Sequence, residues 1–177
     1  MKTTGIIRRI DDLGRLVIPK ELRRSLRIKN GESLEIFVDG DDIILKKYSP
    51  MESIEDAAVK YVDSFNKVIK HSVIVTDKDK VIAASGVLKK KYLGKSITEF
   101  TDRSIERRDN FVERQKSTFS FVENVDDFGY YSFSSIVSSG DTIGSVIIIS
   151  IESPILEYDE KMAVVLSKLL SEKFSVE

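Results

Sequence analysis

The sequence predicts an α+β chain in two parts. A small β-rich unit spans residues 1–50 and completes its core with a second copy. A linker at 51–56 leads to a larger α/β domain over 57–177. Three observations carry this. Residues 4–48 read as strand, turn, strand, short helix and hairpin in too few residues to bury a core alone. The stretch Lys47-Tyr48-Ser49-Pro50-Met51-Glu52 breaks that pattern. Beyond it, two stretches of helical periodicity flank a run of strands.

In the first part, residues 4–10 are β-branched and compact, and Asp11-Asp12-Leu13-Gly14 supplies turn chemistry. Residues 15–18 read as a second short strand. Pro19 stands at the first helical position, where a missing N–H costs nothing. Leu22 and Leu26 mark one face of the helix, Arg23, Arg24 and Arg27 fall off it, and Lys29-Asn30-Gly31 ends it. Residues 33–38 and 43–48 form a hairpin about Asp39-Gly40. Strand parity places Ile6 and Ile10 with Arg8, and Ile7 with Arg9, so neither face is cleanly apolar. With no cysteine and only one histidine, no disulfide or multi-histidine metal site can support so small a unit.

Charge is distributed unevenly. Residues 1–30 hold nine cations against three acids, a net of +6, within a chain of net charge -1. Such a segment points toward a polyanion. Two copies brought together would present it twice about a two-fold axis, as the symmetry of duplex DNA requires. Arginine suits bidentate phosphate or guanine contact better than lysine.

The run TGIIRRIDDLGRLVIPKELRRSLRI, followed by GESLEIFVDGDDIILKKY, resembles the DNA-binding domain of the AbrB family of bacterial transition-state regulators over residues 3–48. The resemblance implies an intertwined, homodimeric swapped-hairpin β-barrel. It also implies DNA contacts from Arg8, Arg15, Arg23 and Arg24, with Arg9 where the family often has lysine. Double-stranded, flexible, AT-rich DNA would be gripped with little consensus, through phosphates and deformability. Other members of the wider fold are antitoxins that bind a toxin through a disordered tail. That is the alternative reading, and the long, aliphatic C-terminal part of this chain departs from it.

In the second part, Ser53 and Asp56 offer helix-start chemistry. Ile54, Ala58, Tyr61, Phe65 and Val68 form a heptad-like stripe over 53–70. Residues 157–174 place Tyr158, Met162, Val165, Leu166, Leu169 and Leu170 on one broad face. These terminal helices are expected to pack together and against another subunit, giving a homotetramer. Between them come a hairpin of 71–76 and 81–84, a polar surface helix at 103–115, and strands at 117–123, 130–138 and 142–151. This order, with SSIVSSGDTIGSVIIIS as closing hairpin, resembles a GAF domain, a small-molecule sensing fold. The expected pocket lies between the sheet and the helices of 86–115. No cofactor is indicated, and no ligand-reading motif stands out.

Catalytic chemistry is disfavoured. His71 reads as a helix-end residue, and Asp77, Asp79, Asp126 and Asp127 as turn residues that cap backbone groups. Neither GxxxxGK[ST] nor GxGxxG occurs. The N-terminus has no secretory h-region, and the aliphatic run 146–149 is too short to span a bilayer. The family resemblance implies a cytoplasmic, nucleoid-associated transcription regulator, an activator or a repressor of sporulation or forespore genes.

Overall fold

The computed structural model describes residues 5–48 and 55–175. It divides into two compact units, Met1–Tyr48 and Ser49–Glu177. The expected linker at 51–56 lies mostly outside the described residues, as do Ser53 and Ile54.

The first unit contains α1 (Lys20–Ser25), β1 (Leu34–Asp39) and β2 (Asp42–Lys47). The two strands expected before α1 are not formed among the described residues. A strand exists only through a ladder partner, and the described residues build no ladder there. What does form there is the turn. Asp11 N–H donates to the Arg15 carbonyl at 3.1 Å, Gly14 N–H donates to the Asp11 carbonyl at 2.9 Å, and Gly14 takes φ +74.

Pro19 occupies the N-cap, one residue before the expected position, and its carbonyl accepts from Arg23 N–H. The helix also stops sooner than Lys29-Asn30-Gly31. Arg27 enters the left-handed region at φ +53. Ile28 N–H then reaches the Arg23 carbonyl at 2.7 Å and Arg27 N–H the Arg24 carbonyl at 3.2 Å. This is the Schellman pattern, with arginine where glycine is usual.

The hairpin forms as expected, but its register moves by one. Asp39 pairs with Asp42, so the two-residue turn is Gly40-Asp41, with Gly40 at φ +60. Glycine at the first central position satisfies the positive φ that the chain twist favours. Leu34, Ile36 and Val38 consequently share one hairpin face with Ile43 and Leu45.

The second unit is a five-stranded antiparallel sheet between helices. In chain order it contains α2 (Glu55–Ile69), β3 (Ser72–Thr76), β4 (Val81–Ala84), α3 (Lys89–Tyr92) and α4 (Glu99–Glu106). Then come β5 (Asn110–Val122), β6 (Val125–Ser138), β7 (Asp141–Ser150) and α5 (Glu157–Ser175). The strand order is β4-β3-β7-β6-β5. Alternation along β3 and β7 divides the core. Val73, Val75, Val146 and Ile148 meet α2 and α5 through Ala58, Val62, Leu166 and Leu170. Ile74, Ile147 and Ile149 join Tyr92 and Ile105 on the opposite face.

Residues 103–115 are not one surface helix. Helix α4 ends at Glu106, a short turn follows, and from Asn110 the chain lies in β5, paired with β6 in the register Glu113↔Tyr131. An edge strand tolerates such charge because its outer rim faces water. Asp126 and Asp127 likewise lie on β6, not in a turn. The turn is Glu123-Asn124, with Asn124 at φ +59. Asp127 accepts from Lys91 Nζ at 2.6 Å and from Tyr92 Oη at 2.8 Å. Burial and that carboxylate together push the Tyr92 hydroxyl well above its ordinary range. Asp77 does cap its turn, accepting from the Asp79 and Lys80 amides.

Aromatic rings pack against one another on the α4 side of the sheet. Phe111 stacks on Phe133 with centroids 4.9 Å apart, and Phe121 meets Tyr131 edge-on at 5.0 Å.

Gly144 on β7 is required by close approach. A Cβ there would fall 2.0 Å from the Thr76 carbonyl oxygen, which is backbone and cannot rotate away. Gly144→Ala is expected to cost about 1–3 kcal/mol or more, seen as a lowered Tm in thermal denaturation of the full chain.

The two terminal helices share one sheet face, but their stripes differ from expectation. On α2 the buried positions are Ala58, Val62 and Ile69, while Val68 is 71% exposed. On α5 the broad apolar face divides. Ala163, Leu166 and Leu170 are buried, whereas Tyr158, Val165 and Leu169 remain exposed, with Met162 partly covered. The positions 158, 162, 165 and 169 recur at steps of four, three and four. That is a second heptad stripe, facing away from the sheet.

Candidate nucleic-acid interface

The basic segment is organised by one carboxylate. Asp11 Oδ1 accepts from the Leu13 amide at 3.0 Å and the Arg15 amide at 2.8 Å. Its Oδ2 accepts from Arg15 Nε at 2.8 Å. The Arg15 amide, then its guanidinium, hold the Asp11 carboxyl below the usual carboxylate range. A depressed folded-state pKa means that the turn is stabilised above that range and released as pH falls through it. The pair is solvent-exposed, so it orients Arg15 more than it stabilises the fold.

The five sequence-predicted contacts are not equivalent. Arg8, Arg9, Arg15 and Arg24 are exposed. Arg8 donates to the Ile7 carbonyl at 3.1 Å. Arg23 is half-buried instead, and its Nη1 donates to Asn30 Oδ1 at 2.7 Å, tying α1 to the loop that follows. Arg23 Nε is buried without a hydrogen-bond partner. Arg23 is therefore as much a brace for the helix as a surface cation. Lys47 plays a similar part, reaching Glu32 at 3.3 Å and the Arg27 carbonyl at 3.3 Å.

Around this cationic surface, apolar groups lie open. Ile7 is 87% exposed, Val17 72%, Val38 76% and Ile43 71%. Among residues 5–48, only Pro19 is buried. Among the described residues, no group of three or more His, Asp or Glu side chains could hold a metal ion. No helix among them is long and apolar enough to cross a membrane.

Residues 53–175 match the family described as "Stage V sporulation protein T C-terminal, transcription factor", and residues 7–53 match "Antidote-toxin recognition MazE, bacterial antitoxin". A basic hairpin unit joined to a sheet domain with GAF topology thus defines a transcriptional regulator. The chain belongs to the stage V sporulation protein T family of transcription factors. It is 47% identical to Stage V sporulation protein T of Bacillus subtilis (strain 168) over 163 residues, 91% of this chain and 92% of that one. Over 50 residues it is 62% identical to Transition state regulatory protein AbrB of the same organism, covering 28% of this chain and 52% of AbrB. The GAF domain from Acinetobacter phosphoenolpyruvate-protein phosphotransferase superposes with a TM-score of 0.55 at 13% identity, over 74% of this chain and 85% of that one. At that identity the likeness establishes the fold alone.

Proposed function

We propose that residues 1–50 intertwine with those of a second copy to make a DNA-binding dimer. In this reading Arg8, Arg9, Arg15 and Arg24 grip the phosphate backbone, while Arg23 both contacts DNA and braces α1. The observation that carries it is the open apolar hairpin: Ile36, Val38 and Ile43 are each at least 67% exposed in one chain. A unit of this size cannot leave its aliphatic groups in water and stay folded. A twin that covers them also aligns two arginine clusters about one axis.

The heptad stripe on α5 supports a further association of two dimers through the terminal helices. Two DNA-gripping units on one particle gain avidity when the duplex can reach both. Hydrodynamic mass tests the assembly: four times 20.0 kDa at micromolar concentration is expected, and a monomer would overturn the reading.

The match of residues 7–53 to the MazE antitoxin family favours a second reading, in which the same unit binds a protein partner. The folded second unit, in place of a disordered tail, weighs against it. A gel shift on AT-rich duplex at physiological salt decides. Retarded DNA supports the regulator, and unretarded DNA together with a co-purified toxin supports the antitoxin.

A further inference from the structure

We propose that the second unit binds a small phosphorylated metabolite in a cavity at the junction of α2 and β3, with Lys67 and Lys70 holding the phosphate. The proposal deepens the sensory side of the GAF fold and does not depend on the DNA-binding reading.

The cavity measures about 710 Å³ and is built from three separate segments: the α2–β3 junction, the loop after β4 and the end of β7. Its size falls within the range of small-molecule sites. Lys67 and Lys70 line it, are exposed, and form no ion pair with a described residue. Glu152 is the one carboxylate in the lining, so cations prevail there.

Two hydroxyls complete a polar wall. Ser72 and Ser150 are 3% and 4% exposed. Ser72 Oγ accepts from the Leu88 amide at 3.3 Å and keeps its own proton to donate. On the rim Val87 is 88% exposed, an aliphatic surface for the uncharged part of a ligand to cover.

The shape depends on Gly86. It sits at φ +75, and a Cβ there would lie 2.8 Å from Ser72 Oγ and 3.0 Å from Asn66 Nδ2. Asn66 in turn pins the junction by donating to the His71 carbonyl at 2.7 Å. The ligand class follows from the donors. Ammonium groups act as point charges on the several oxygens of a phosphate, and no guanidinium in the lining offers the planar fork suited to a carboxylate.

The cavity is lined by the end of α2 and connects to α5 through His71. His71 Nε2 lies 3.5 Å from Oδ2 of Asp159, a fully buried carboxylate in the first turn of α5. Asp159 Oδ2 also accepts from the Leu156 amide at 2.9 Å, while Oδ1 has no partner. A ligand seated against His71 therefore bears on α2 directly and on α5 through one contact.

The test uses the full chain and AMP, inorganic pyrophosphate and adenosine at matched ionic strength, read by thermal shift and titration calorimetry. AMP and pyrophosphate are expected to raise Tm, and adenosine to leave it unchanged. The double variant Lys67→Ala, Lys70→Ala should keep the unliganded Tm and bind AMP at least about tenfold more weakly. The double variant Arg8→Ala, Arg24→Ala should respond as the parent chain does. The proposal fails if neither AMP nor pyrophosphate shifts Tm, if adenosine shifts it as much, or if the response survives in the lysine variant. It fails equally if the response disappears with the arginines, or if the lysine variant loses only duplex DNA affinity.

Discussion

Arg8→Ala, Arg9→Ala and Arg24→Ala are each expected to weaken binding to every duplex by about tenfold or more, without lowering Tm. All three side chains are exposed, so their loss leaves no cavity. A charge-assisted hydrogen bond to phosphate contributes about 1.5–3 kcal/mol. Each contact removed should also flatten the slope of log affinity against log salt by about 0.9. Fluorescence anisotropy at a series of salt concentrations measures both quantities. Arg23→Ala should behave differently. It loses the bond to Asn30 and the brace between α1 and the following loop, so Tm falls together with affinity. Equal affinity and equal slope for the first three variants would remove these arginines from the interface.

Val165→Glu combined with Leu169→Glu is expected to split the assembly at the terminal helices and halve its mass in solution. Both positions are surface-exposed in one chain, at 43% and 38%. Charge there meets water in the isolated subunit and meets a twin helix only after association. One residue on from Val165 the outcome reverses. Leu166 is fully buried against the sheet, and Leu166→Ala should cost about 2–5 kcal/mol of stability. Sedimentation velocity with calorimetry separates the two cases. A mass unchanged by the double glutamate variant would show that another surface joins the subunits.

The hairpin of residues 34–47 was legible because alternation and a glycine turn are local signals. Its register was not, because Asp39-Gly40 and Gly40-Asp41 both place a glycine in the loop, and cross-strand pairing chooses between them. The stretch 103–115 misled for the opposite reason. Its charges suggest a solvated helix, yet pairing with β6, over a dozen residues later, makes 110–115 a strand. The cation cluster was legible from count alone, but the brace formed by Arg23 depends on Asn30 seven residues on, in a loop whose path follows from Arg27 adopting positive φ. The lysine-lined cavity had only a compositional trace: eight lysines against two aspartates over residues 67–95. Its walls come from segments far apart in the chain, which no window on the sequence brings together.

The bare aliphatic side of the first hairpin has a consequence for how such a regulator disappears. A protein with its own interior survives dilution as an intact monomer. On the proposed intertwining, solitary chains would retain the sheet domain while their first fifty residues became substrates for proteases. Falling abundance would then remove DNA-gripping units faster than it removes polypeptide, and the regulatory response would end sharply rather than fade.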